Sequence, residues 1–186
     1  MEKKSICIDV DGTLARSAER WLEVFETERG INKKVEDLKE YGLEASFGIS
    51  REEVREVFGK VWKNYENIEM TSKNAPLVIK KLRERYYIMI ITAASANDSE
   101  LISWFKMNDI IYDQFYHFGR EDEKLRVDGD IIIEDNPNIA LSFIKKGKKV
   151  ILIEKPWNRK IKESTDGIEF AKDWDEIYKI IMKWDT

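Results

Sequence analysis

Residues 5–13 read SICIDVDGT. Ser5–Val10 is a short apolar run closed by an aspartate and a glycine, the pattern of a buried strand that ends in a turn. The two carboxylates Asp9 and Asp11 are two residues apart and can point into one cleft. Gly12 permits a sharp turn and lets backbone N–H groups approach an anion. An aspartate ionised at neutral pH in the first position can act as a nucleophile towards phosphorus. One in the second position can move a proton to and from the leaving group.

Downstream of this strand the chain changes character twice. From Arg16 to about Thr71 the apolar residues recur at helical spacing: Trp21, Leu22 and Phe25, then Val35, Leu38 and Tyr41, then Val54, Val57, Phe58, Val61, Trp62 and Tyr65. Ser50 and Glu53 have the spacing of a capping box at the start of the last of these helices. After Pro76 the pattern alternates: a helix over Leu77–Arg85, a strand over Tyr87–Thr92, a helix over Asp98–Met107 and a strand over Gln114–Phe118. A strand over Asp130–Ile133, a helix over Asn138–Lys146, a strand over Val150–Ile153 and a closing helix over Asp173–Trp184 follow. Five strands alternating with helices predict a parallel sheet covered on both faces, with ligands at the carboxyl ends of the strands.

The polar residues with chemical potential fall at those ends. Thr92 closes the second strand, Glu134 and Asp135 follow the fourth, and Lys124 stands in the loop before it. Four carboxylates on one rim repel one another unless a cation neutralises them. Oxygen donors without neighbouring His or Cys ligands select a hard ion, Mg²⁺ first.

Composition narrows the classes. The chain has 186 residues, enough for one α/β domain with a small insertion. Charged residues make up 37% but leave a net charge of only -4, no footprint for long nucleic acid or an anionic membrane. No apolar run approaches a membrane span. Cys7 is the sole cysteine, which fits a reducing cytoplasm, and Met1-Glu2-Lys3-Lys4 carries no signal-peptide pattern. The wealth of Lys, Glu and Ile, with Gln114 the one glutamine, leans towards a heat-adapted source. His117, the one histidine, lies among aromatic residues and reads as structural, which argues against histidine-based hydrolysis. Cys7 reads as an inert core thiol.

Asp9–Thr13 resembles motif I (DxDGT) of the haloacid dehalogenase-like phosphohydrolases. Thr92, Lys124 and Glu134-Asp135 resemble motifs II, III and IV of that superfamily. The stretch Asp122–Pro137 (DEKLRVDGDIIIEDNP) resembles a block of the 5'(3')-deoxyribonucleotidases, as do Pro156-Trp157-Asn158 and the helix around Trp174, Glu176 and Ile177. Glu134 departs from the usual Asp, and Thr92-Ala93-Ala94-Ser95 departs from the usual motif II.

The resemblance implies an α/β, three-layer, Rossmann-like core over residues 1–15 and 72–186, with a helical cap over 16–71. It implies Asp9 as nucleophile and Asp11 as acid/base. Phosphate would be held by Thr92, Ala93, Lys124 and Gly12. Mg²⁺ would be bound by Asp9, by the backbone carbonyl of Asp11 and by Asp135, with Glu134 either a further ligand or a support. The expected reaction is phosphate monoester hydrolysis through an aspartyl-phosphate, with a (deoxy)nucleoside monophosphate as substrate in the cytoplasm and a homodimer as one assembly open to the chain. Another small phosphate ester, a 3'-phosphate end, or a silent binding module are the alternatives. Trp21 and Trp62 stand as candidates to stack on a base. Arg16, Ser17, Trp157 and Asn158 are candidates to face the substrate.

Overall fold

The computed structural model describes residues 3–162 and 165–185; Met1 and Glu2 of the N-terminal segment considered above lie outside the described residues. Strands are β1 (Ser5–Ile8), β2 (Tyr87–Thr92), β3 (Gln114–His117), β4 (Ile131–Glu134), β5 (Lys149–Ile153) and β6 (Ile168–Ala171). Helices are α1 (Ser17–Arg29), α2 (Leu43–Phe47), α3 (Arg51–Lys63), α4 (Ala75–Arg83), α5 (Asp98–Met107), α6 (Pro137–Lys145) and α7 (Trp174–Trp184). Short 3₁₀ turns lie between them, at Val35–Asp37, Tyr65–Asn67, Glu121–Arg126 and Pro156–Ile161.

The sheet is parallel throughout, in the order β3-β2-β1-β4-β5-β6. The chain winds outward from β1 to β3, then crosses back to β4 and winds outward the other way. The order therefore reverses beside β1, where its neighbours are β2 and β4. Loops leaving the carboxyl ends diverge at such a point and open a crevice.

Alternation along the strands divides the interior into two layers. Ile6, Ile8, Ile88, Ile90, Ile131, Ile133 and Ile151 face one side, packed with Ile79 and Leu82 of α4, Trp104 of α5 and Ile177 of α7. Cys7, Met89, Ile91, Ile132, Val150 and Leu152 face the other, under Ala140 and Phe143 of α6. Burial pushes the Cys7 thiol up to about 12, so it is inert as expected.

Between β1 and α4 the described elements are all helical. Ser50 caps α3 through the anticipated box, its side chain accepting from the Glu53 N–H at 3.2 Å. Two stretches of chain join this insertion to the sheet, and they are bonded to each other. Arg16 N–H donates to the Glu69 carbonyl and Thr71 N–H to the Leu14 carbonyl, each at 2.8 Å. The buried residues of the insertion, Trp21, Val61 and Trp62 among them, are continuous with the first layer of the core.

The structure corrects four expectations. The described residues form six strands: Ile168–Ala171 adds an edge strand beside β5. Strand β1 ends at Ile8, so Asp9 and Val10 already belong to the turn. Lys124 sits in a 3₁₀ turn rather than an open loop. Trp21 and Trp62 are fully buried and present no face to a ligand. Trp21 stacks on Phe25 at 4.6 Å and donates to the Val54 carbonyl, while Trp62 packs edge-on against Trp104. His117 is structural, its two ring nitrogens meeting Asp98 Oδ1 and the Ala94 carbonyl.

Candidate active site

The turn after β1 is built on one carbonyl. Val10 O accepts the N–H groups of Thr13, Leu14 and Ala15 at 3.2, 2.9 and 2.9 Å, and Gly12 N–H closes onto Ala15 O at 2.8 Å. Gly12 has φ +75, and a Cβ there would lie 2.1 Å from Asp135 Oδ2. Glycine is therefore needed twice, for the backbone angle and for the approach of the Asp135 carboxylate. Asp9 N–H donates to Ile133 O at 3.0 Å, which locks the backbone of Asp9 to β4.

Asp9, Glu134 and Asp135 place carboxylate oxygens within 4.8 Å of one another, all three residues buried. Lys124 is the buried cation among them. Its Nζ donates to Asp9 Oδ1 and to Glu134 Oε1, both at 2.6 Å, and lies 2.9 Å from Glu121 Oε2. The other oxygen of Glu134 accepts the N–H groups of Asp135 and Asn136, each at 2.9 Å. Both oxygens of Glu134 are thus engaged, one by the ammonium and one by the backbone, so this residue braces Lys124 and the turn. Asp135 is held from behind: Asn158 Nδ2 donates to its carbonyl at 2.9 Å and to the Ile153 carbonyl at 2.8 Å. Asn136 caps α6, its Oδ1 accepting from Asn138 N–H at 2.9 Å, with Pro137 at the first helical position.

Asp11 stands apart from the three clustered carboxylates. Its Oδ1 accepts from Trp62 Nε1 at 3.2 Å, so the insertion grips the side chain from above. Burial pushes the Asp11 carboxyl up to about 6, inside the range useful for proton transfer near neutrality. Burial, then the neighbouring Glu134, holds Asp9 well above the usual carboxylate range, with Lys124 acting in the opposite sense. Asp135 is raised likewise, first by burial and then by Glu134. Burial acts to lower Lys124, but Asp9, Glu134 and Glu121 outweigh it and keep the ammonium firmly charged.

The buried carboxylates here outnumber the one ammonium among them, so a further cation would offset their mutual repulsion. The donor set fits a hard cation. It is all oxygen, it is buried, and Gly12 leaves room for Asp135 to reach in.

A stability prediction follows from the signs of these shifts. Asp11 binds its proton more tightly folded than unfolded, and Asp9 and Asp135 shift the same way. Their contribution is complete below the unfolded carboxylate value and is lost as pH rises through the raised folded values, for Asp11 through about 6. Chelator-treated protein is expected to melt several degrees lower at about pH 8 than at about pH 5, with Mg²⁺ restoring more at the higher pH. Equal Mg²⁺ shifts at both pH values in a melting experiment would contradict the assignment.

Thr92 is fully buried at the tip of β2, two residues beyond Ile90, which pairs with Ile8. Its Oγ1 accepts the Ala94 N–H at 3.1 Å and retains its own proton to donate. Ala93, Ser95, Asp11, Gly12, Glu121 and Asp135 form the floor of a chamber. Its upper walls come from the insertion: Leu38, Tyr41, Leu43, Val54, Phe58, Arg51 and Arg55. Ser17 and Trp157 also line it, whereas Arg16 turns outward to Glu19 and Glu69.

Sequence reasoning passed over Tyr41 and Glu121 as site residues. Although 38% of Tyr41 is exposed, its hydroxyl end is enclosed, and burial with the charge of Glu121 and Asp135 pushes it well up. Nothing local to Tyr41 marks it. Glu121 stands three residues before Lys124, a spacing that puts both on one side of a helical turn, and that was the available signal.

A family model described as "5' nucleotidase, deoxy (Pyrimidine), cytosolic type C protein" matches residues 3–185. A nucleotidase of Clostridium acetobutylicum is 29% identical over 185 residues, spanning 97% of this chain and 95% of that one. Among solved structures, a haloacid dehalogenase-like hydrolase from Streptococcus pneumoniae superposes with TM-score 0.68 at 18% identity, covering 96% of this chain and 98% of that one. A haloacid dehalogenase-superfamily chain from Bacillus subtilis, solved bound to magnesium, superposes with TM-score 0.60 at 14% identity, over 97% and 99% of the two chains. At these identities the superpositions establish the fold.

Proposed function

The chain belongs to the 5' nucleotidase, deoxy (pyrimidine), cytosolic type C family of phosphoric monoester hydrolases, and from that premise we propose that it is a Mg²⁺-dependent nucleotidase. It would release phosphate from (deoxy)nucleoside monophosphates through an aspartyl-phosphate on Asp9. The observation that carries this reading is the pairing of Asp9 Oδ1 with Lys124 Nζ at 2.6 Å, beside Asp135, which lines the chamber.

Asp9 attacks phosphorus, and the bond from phosphorus to the sugar oxygen breaks. Asp11, its carboxyl raised to about 6 by burial, gives its proton to the departing alkoxide. The resulting Asp11 carboxylate then takes a proton from the water that attacks the aspartyl-phosphate, and Asp9 is regenerated with release of inorganic phosphate. Lys124, the Thr92 hydroxyl and the backbone N–H groups of Ala93 and Gly12 hold the phosphoryl oxygens. Asp9, Asp135 and the Asp11 carbonyl would hold Mg²⁺, which would supply positive charge beside the Asp9 carboxylate and the phosphoryl oxygens. Trp62 orients Asp11 from the helical insertion, which acts as a cap over 16–71 and keeps bulk water from the intermediate. The apolar wall of Leu38, Leu43, Val54 and Phe58 gives the nucleoside a dry surface, and Arg51 and Arg55 border it with charge.

Among the described residues no helix is long and apolar enough to cross a membrane. The test is phosphate release from a panel of 5'- and 3'-nucleoside monophosphates, sugar phosphates and an aryl phosphate, with and without Mg²⁺. Metal-dependent release concentrated in the nucleotides is expected. Release from the sugar or aryl esters alone would remove the nucleotide and keep the chemistry.

A further inference from the structure

We propose that Glu121 is a built-in rival of the substrate's phosphoryl group for Lys124, and that an arriving phosphate displaces its carboxylate. The inference rests on the reading above, in which Lys124 receives phosphoryl oxygens.

An ammonium has three protons to donate. Lys124 commits two of them at 2.6 Å, to Asp9 Oδ1 and Glu134 Oε1. Both acceptors are fixed. The Asp9 side chain is 3% exposed and that of Glu134 is fully buried, its second oxygen tied to two backbone N–H groups. The remaining neighbour is Glu121 Oε2 at 2.9 Å. That oxygen is shielded from solvent yet accepts no well-aligned hydrogen bond, so Lys124 holds it by charge alone.

Glu121 is also the least enclosed of the three partners. Its side chain is 31% exposed, it opens a 3₁₀ turn, and it borders the chamber from which the substrate approaches. A phosphoryl oxygen that reaches Lys124 from the chamber enters the sector that Glu121 occupies. Two anions in one small space repel, so phosphate binding expels the carboxylate towards solvent. Glu121 thereby neutralises Lys124 before substrate arrives and weakens the hold on phosphate after hydrolysis, which favours product release.

The experiment measures binding of inorganic phosphate by calorimetry, with the full chain saturated in Mg²⁺. Glu121→Gln is expected to bind phosphate about tenfold more tightly than wild type, with KM for a monoester substrate falling in parallel. Glu123→Gln removes the same charge from the same turn but lies against Arg126 instead, and should stay within about twofold of wild type. Glu121→Asp keeps the charge but withdraws it from Lys124, and should also tighten binding if the Gln variant fails to fold. Unchanged or weaker binding by these Glu121 variants, while wild type binds phosphate, overturns this inference alone. Equal tightening by Glu123→Gln overturns it as well, since general charge would then suffice. Failure of wild type to bind phosphate overturns both this inference and the phosphatase reading.

Discussion

Replacing Asp9 by asparagine is expected to reduce phosphate release by ~10⁴-fold or more, because asparagine is no nucleophile and the neighbouring carboxylates are committed to other roles. Asparagine has nearly the same shape, and Lys124 keeps Glu134 as an acceptor in this variant. One buried carboxylate is also removed from a site that holds too many. The metal-free Asp9→Asn variant should therefore melt at or above the wild-type temperature, so lost activity will not reflect lost fold. Acid quenching of wild type during turnover should trap phosphate covalently on the chain, and Asp9→Asn should trap none. Activity within about tenfold of wild type would remove the covalent route, whatever the trapping experiment showed.

The second large effect falls on stability. Lys124→Ala deletes the ammonium that faces Asp9 and Glu134, side chains 3% and 0% exposed. Breaking a buried ion pair from one side leaves an uncompensated charge, and the loss is expected to reach about 3–5 kcal/mol. Chemical denaturation with and without Mg²⁺ measures it. Lys124→Met, which restores bulk, should recover only the cavity part of the loss. Adding Glu134→Gln to Lys124→Met should recover more, because the stranded carboxylate goes with its partner. If Lys124→Met alone matched wild type, the ion pair would contribute nothing net, and Lys124 would be held in place for catalysis only.

How far these residues were legible depends on what each one's neighbours in sequence disclose. Asp9, Asp11, Thr92, Glu134 and Asp135 each follow a short apolar run, and in a parallel sheet the ends of such runs converge on one rim. Lys124 was legible only by its spacing to the acid pair, since lysine in a charged turn is ordinarily solvated. Strand β6 was missed because Ile168–Ala171 at the edge of the sheet buries only its first and last residues and shows no alternation, too faint a pattern against its polar surroundings. Trp21 and Trp62 follow the ordinary rule for aromatics at helical spacing and fill the core rather than stack on a ligand, and of the two only the indole N–H of Trp62 reaches the site. Tyr41 reaches the chamber through tertiary approach, and no local periodicity encodes where its segment folds back, whereas the i,i+3 spacing of Glu121 to Lys124 was a local signal. Glu134 was left open between ligand and support; its two engaged oxygens favour support.

The central place of β1 also governs when the machinery can exist. Asp9 leaves the ribosome well before Lys124, which it meets across 115 residues, and Ser5 meets Asp130 across 125. Until those partners emerge, β1 has an open edge and Asp9 has no counter-ion. Pairings between such distant segments are slow to form, because loop closure must precede the reward of contact. A nascent or truncated chain that stops short of Asp135 thus carries the DxDGT signature without a working centre, and turnover begins only once β4 has been made and its pairing with β1 has closed.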